Sequence, residues 1–283
     1  MITDFLAALA DPSVPFIRYA LLAGLLSSIS FGMIGTYVVV RRMSYIVGAV
    51  SHVALGGIGA AILLSEKLGM QISPITGALV ASVLAALIIS LVEIYGNERS
   101  DSVIGAIWAA GMALGIICIS LSSGYSDPMS YLFGNILLIS RSDLITVTIL
   151  DLCVVFIITR YYNILKAISF DDEFVRVRGI NIISFNILLN VLIAITVVLM
   201  VSFVGVVMAI AFLTIPAATA GIFTKRLSHM MTAAAVMCII FSTAGLFVSY
   251  SFDLPTGAVT IVLSAAVYIA VALCSRIISR HLK

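Results

Sequence analysis

Long apolar stretches separated by short polar clusters run through nearly the whole chain. A helix rising about 1.5 Å per residue needs roughly 20 apolar residues to cross the hydrocarbon of a bilayer. Nine stretches meet or approach that length: Phe16–Val40, Ile46–Leu64, Ile75–Ile94, Val103–Leu121, Leu144–Thr159, Ser184–Phe203, Gly205–Phe223, Met231–Tyr250 and Gly257–Cys274. Little but Val204 and Gly205 separates the sixth from the seventh, so eight to ten spans fit the pattern. The period-two alternation of a membrane β-barrel is missing. The pattern predicts an all-α polytopic membrane protein with about nine transmembrane helices, residues 1–283 forming one domain.

Composition excludes the soluble classes. Of the 283 residues 62% are hydrophobic and 10% charged, and the mean hydropathy is +1.24, which leaves too little polar surface for a water-soluble globule. Cys118, Cys153, Cys238 and Cys274 each lie inside an apolar run with no Cys-x-x-Cys pair, so they read as small buried hydrophobes rather than a disulfide framework or thiolate metal site. The first run is long and lacks a basic leader and a cleavage site, so it is expected to be retained. If Arg41 and Arg42 face the cytoplasm, 12 of the 15 Lys and Arg residues fall on that side, with Arg18, Lys67 and Arg141 outside. That asymmetry predicts an odd number of crossings, with the amino terminus outside and the carboxyl terminus in the cytoplasm.

The polar exceptions carry the chemistry. Residues 161–181 hold a charged island, Asp171-Asp172-Glu173-Phe174-Val175-Arg176-Val177-Arg178-Gly179, with Phe170, Phe174 and Val177 spaced to share one face of a short helix and Gly179 placed to stop it. On the other side, residues 122–143 surround an apolar patch that suits a short interfacial helix or a docking surface. In the second span Gly48, His52, Gly56 and Gly59 form one narrow stripe, so an imidazole projects from a face otherwise stripped of side chains. Such a face packs closely or lines a cavity. Neutral imidazole is a frequent ligand for zinc, manganese and iron, and ionisable groups inside spans mark pathways. Ser51 adds a weak oxygen, and Asp151, near the middle of the fifth span, is a second pathway candidate costing a few kcal/mol unless paired, protonated or wet. Glu93 and Asp101 read as the solvated ends of helices. Pro216 removes a backbone donor and predicts a kink near Phe212, which suits a gate and static packing equally. Asp253 and Pro255 read as the cap and early residue of the last span.

The run Arg41-Arg42-Met43-Ser44-Tyr45-Ile46-Val47-Gly48-Ala49-Val50-Ser51-His52-Val53-Ala54-Leu55-Gly56-Gly57 resembles the opening of the zinc, manganese and iron permease family of ATP-binding-cassette importers. Phe170–Ile180 is similar to that family's coupling segment, Val204–Ala220 to its proline-containing helix and Asp253–Ala258 to its last outer loop. The resemblance implies an importer permease fold related to the metal-chelate permeases, set in a bacterial inner membrane. It also implies a homodimeric or heterodimeric pore, driven by cytoplasmic ATPase subunits through Asp172, Glu173, Arg176 and Gly179 and fed by an extracytoplasmic metal-binding protein. Zn2+, Mn2+ or Fe2+ is then cargo, with no cofactor held by this chain and no nucleic-acid partner. The sequence agrees by omission, since it has no Gly-x-x-x-x-Gly-Lys-Ser/Thr loop to cradle nucleotide, so hydrolysis is expected in a partner rather than here.

One departure concerns the metal. The resemblance brings an Asp four residues before the histidine, where this chain has Gly48. A single imidazole holds a divalent cation poorly, so a site on His52 calls for a second copy or a transient passage. Two other readings fit parts of the pattern: a permease for siderophore, haem or cobalamin chelates, and a secondary transporter coupled through Asp151 and His52. A membrane scaffold is the third.

Overall fold

The structure is a computed structural model that describes residues 15–69, 71–95, 100–122, 132 and 141–281. Its elements are helical throughout: α1 (Pro15–Val40), α2 (Ser44–Leu68), α3 (Pro74–Tyr95), α4 (Ser100–Leu121), α5 (Arg141–Phe170), α6 (Asp172–Val177), α7 (Ile182–Val204), α8 (Val206–Phe223), α9 (Leu227–Phe252) and α10 (Thr256–His281). Eight of these are long and apolar enough to cross a membrane, and α8 is a shorter apolar ninth. The interfacial helix expected in 122–143 lies outside the described residues but for Ser122, Leu132 and the start of α5.

Local chemistry sets the boundaries. Pro15 and Pro74 open α1 and α3, where a missing N–H costs nothing. The α1–α2 turn closes with Met43 N–H on the Val38 carbonyl (2.8 Å) and Arg42 N–H on that of Val39 (3.2 Å), which puts Arg42 at φ 57°. Gly205 alone separates α7 from α8, at φ 92° and ψ 164°, a conformation open to glycine and costly for any side chain. Asp253 departs from its expected role. It sits in the left-handed region at φ 52° and closes α9 instead of opening α10, and Ser249 joins the two helices by hydrogen bonding the Leu254 carbonyl and the Thr256 hydroxyl.

The fifth helix also runs farther than its hydropathy predicts, to Phe170 rather than Thr159. Ile158, Leu165 and Ile168 are buried along it, so the apolar face continues while Arg160 and Lys166 point outward. Chain outside the long helices therefore begins only at Asp171, and Phe170 ends α5 instead of sharing a face of α6.

Helix ends sort cleanly. Arg41 donates to Asn186 Oδ1 (2.9 Å) and Tyr45 to Glu93 Oε1 (2.8 Å), which gathers the end of α1, the start of α2, the end of α3 and the start of α7. Glycines of α1 show how its neighbours run: Gly32 lies against the Ala235 backbone and Gly24 against Ser242, so α9 is antiparallel to α1 and starts at this end. Gly35 abuts the Leu213 carbonyl, and α8 finishes just before α9 begins. Helix α8 thus doubles back on α7 at Gly205. One end of the bundle collects Arg41, Arg42, Lys166, Arg176, Arg178, Lys225, Arg226 and Arg276, while Arg18, Lys67 and Arg141 lie at the other.

Candidate functional site

Glycine decides where His52 sits. A Cβ on Gly48 would lie 2.5–2.6 Å from the outer ring carbons of Trp108, one on Gly56 2.8 Å from the Gly111 carbonyl, and one on Gly59 2.5 Å from that of Gly115. Real Cβ atoms do not approach so closely. The small-residue stripe of α2 is therefore a seam against the matching stripe of α4, with backbones in near contact as small residues permit between membrane helices. The opposite side of α2 meets α3 the same way, through Gly57 and Gly77. Of the two readings the sequence left open for this stripe, close packing is the one present in the single chain.

Within that seam His52 stacks on Trp108, ring centroids 5.0 Å apart and planes inclined by 24°. It is half-buried, and its Nδ1 is buried with no hydrogen-bond partner among the described residues. Buried side-chain oxygens of Ser27, Tyr37, Ser82, Asn190 and Ser251 share that state, so what sets His52 apart is the ionisable ring in the α2–α4 seam. Counting about 1.5 Å per residue from Ser44, the imidazole lies about 12 Å up the helix from the basic end.

The other candidates do not join it. Ser51 is fully buried but spends its hydroxyl on the Val47 carbonyl of its own helix (2.7 Å). Asp151, 5% exposed, accepts a hydrogen bond from Ser30 on α1. Thr146 and Thr148, nearer in sequence, bond carbonyls of their own helix. Among the described residues no three His, Cys, Asp or Glu side chains gather as a metal site.

Two side chains escaped the sequence reading. Trp108 is the aromatic wall of His52, and its i, i+3 spacing to Gly111 places both on one face of α4. Asn190 is fully buried and donates to Ser90 (2.9 Å) and Glu93 (3.1 Å), so Glu93, exposed at the end of α3 as expected, also ties α2, α3 and α7 together.

At the basic end, α6 is a short helix fixed at both termini. Asp171 caps it by accepting from Phe174 N–H (2.9 Å). Gly179, at φ 74°, and Ile180 close it through the Arg176 and Val175 carbonyls (3.0 and 3.4 Å), the two-bond ending that needs a left-handed residue. Only Val175 is buried, pinning the helix to the bundle; Phe174 and Val177 are exposed, Val177 to 88%. The apolar side chains Phe174 and Val177 therefore point outward, beside exposed Asp172, Glu173 and Arg176 and with Arg178 over the Phe174 ring at 4.5 Å. Pro216 lies within α8, where Thr214 and Thr219 turn their hydroxyls back onto the Ile210 and Ile215 carbonyls (both 2.7 Å).

Residues 13–275 match the ABC 3 transport family. The chain belongs to that family. It is similar to a probable metal transport system membrane protein of Chlamydia trachomatis, 36% identical over 90% of this chain and 87% of the relative. It is also similar to a manganese transport system membrane protein of Halalkalibacterium halodurans, 33% identical over 92% and 87%. Among solved structures it is similar to PsaBC from Streptococcus pneumoniae in complex with Fab, with a TM-score of 0.85, 29% identity and coverage of 96% and 95%. An inward-facing metal-chelate type ABC transporter, 16% identical with a TM-score of 0.68 over 94% and 90%, shares the fold. This ABC 3 family member is thus a multi-pass helical permease of the importer fold, whose role is transport.

Proposed function

We propose that the chain is the membrane conduit of an ATP-binding-cassette importer for a divalent metal ion, moved by partner ATPase subunits. The observation that carries this reading is α6. A six-residue helix capped at both ends, anchored by one buried valine and presenting Phe174, Val177, Asp172, Glu173 and Arg176 outward is built to be pushed. Because the chain has no nucleotide loop of its own, the push comes from another subunit.

Manganese is the cargo that the relatives' names favour, with zinc and ferrous iron as competitors. The unpaired imidazole of His52 is the pathway group in this reading. It lies in a seam that must part, exposing the ring, when neighbouring helices shift. The basic end faces the cytoplasm, which leaves the amino terminus outside, the carboxyl terminus inside and the opposite end free to receive a metal-binding protein. Two permease chains, like or unlike, enclose the path.

The test is uptake into vesicles carrying this chain, its ATPase and its binding protein, with manganese, zinc and ferrous iron in competition. Replacing Glu173 and Arg176 together by Ala is expected to cut uptake about tenfold, equivalent to ~1.4 kcal/mol of coupling, while ATP hydrolysis persists unstimulated. Normal uptake with normally stimulated hydrolysis in that variant would remove α6 as the lever.

A further inference from the structure

A groove of about 580 Å³ opens between α5 and α7. Its floor is the edge-to-face pair Tyr161 and Phe185, ring centroids 5.5 Å apart. Polarity is graded along its length. The two helices are antiparallel and meet through α6, so Arg160 and Ser184 lie toward the α6 end while Phe156 and Leu188 lie one turn deeper in the bundle. Arg160 is exposed, its guanidinium 5.4 Å from the Tyr161 ring centroid, and no carboxylate pairs with it among the described residues. Its neighbour Tyr161 packs on Phe185, next to Asn186, which accepts from Arg41, so Arg160 lies near the level of the basic end of the bundle.

We propose that this groove is a site for an anionic phospholipid, its phosphate on Arg160 and Ser184 and an acyl chain along Phe156 and Leu188. Charge complementarity selects the occupant. A wholly apolar molecule leaves the guanidinium unpaired, a free phosphate leaves the apolar wall uncovered, and an anionic lipid meets both ends of the gradient. Since the groove joins the two helices that carry α6 between them, a bound lipid would brace the lever without touching the metal path.

Phe156→Trp provides a reporter in the full chain, reconstituted in phosphatidylcholine vesicles with small amounts of brominated lipid. The parent protein's Trp108 signal is subtracted. Brominated phosphatidylglycerol is expected to quench the introduced indole about fivefold more effectively than brominated phosphatidylcholine, the preference one basic residue at a membrane surface confers. Arg160→Gln should abolish that preference and Arg160→Lys should keep most of it. Equal quenching by both lipids, a preference surviving Arg160→Gln, or its loss in Arg160→Lys would each overturn the proposal. So would an absence of quenching by either lipid together with a disulfide between two Phe156→Cys chains, which would put a second copy in the groove.

Discussion

His52 and Asp151 are both ionisable groups set deep among apolar helices, and the structure treats them in opposite ways. The Asp151 carboxylate is nearly sealed and has its donor, Ser30, across the α1–α5 contact. The His52 ring is half-exposed, lies against an aromatic face and has no partner for Nδ1 among the described residues. A buried polar group that is satisfied supports packing; one left wanting is held ready at a cost in stability. Burial of a charged residue therefore does not by itself mark a path through this bundle. In the function proposed above, the state of their hydrogen bonds is what separates the two.

The strongest test of that contrast is His52→Ala. Removing an imidazole with no Nδ1 partner among the described residues breaks no hydrogen bond there, yet removes the nitrogen donor that the proposed path assigns to the cargo. Metal uptake is expected to fall by about tenfold or more at equal membrane abundance, the ~1.4 kcal/mol worth of one interaction with the passing ion. Unchanged uptake would eliminate His52 from the path.

How much of this was legible in the chain follows from the range of each interaction. Span positions, the helix-stopping Gly179 and the stripe Gly48–His52–Gly56–Gly59 are local patterns, and all appear where the period of a helix puts them. The far end of α5 was missed because hydropathy falls at Arg160 while the buried face runs on through Leu165 and Ile168. The break at Asp171, at φ −155° and ψ 89°, was missed because Phe170, Phe174 and Val177 keep helical spacing across it. Trp108 against His52, Ser30 against Asp151 and Asn190 against Glu93 join residues 56, 121 and 97 positions apart. No periodicity within one helix states which helix lies beside it.

A middle-sized effect is expected at Gly48, where the resemblance to the metal permeases would place a carboxylate. Trp108 already fills that space. Gly48→Asp alone should cost about 1–3 kcal/mol through overpacking against the indole, read as earlier loss of helical circular dichroism on heating in detergent. Adding Trp108→Ala should relieve that clash, at the cost of the indole's own packing, and stand a carboxylate one turn from His52. If Gly48→Asp melts like the parent, the seam is looser than its glycines indicate and His52 is reachable without helix movement.

The smallest effect belongs to Asp151→Asn. The amide keeps an oxygen where Ser30 donates and removes only the charge, and Ser30 has the Ser27 carbonyl at 3.0 Å as a second acceptor. An interhelical hydrogen bond in a membrane is worth about 0.6 kcal/mol on average, so stability should move by less than about 1 kcal/mol. Uptake should stay within about twofold of the parent, since a group already satisfied by its neighbour contributes support rather than a ligand. A loss matching that of His52→Ala would show that the negative charge acts on the cargo. The carboxylate would then release Ser30 during transport, and the line drawn between the two buried groups would hold only for the resting chain.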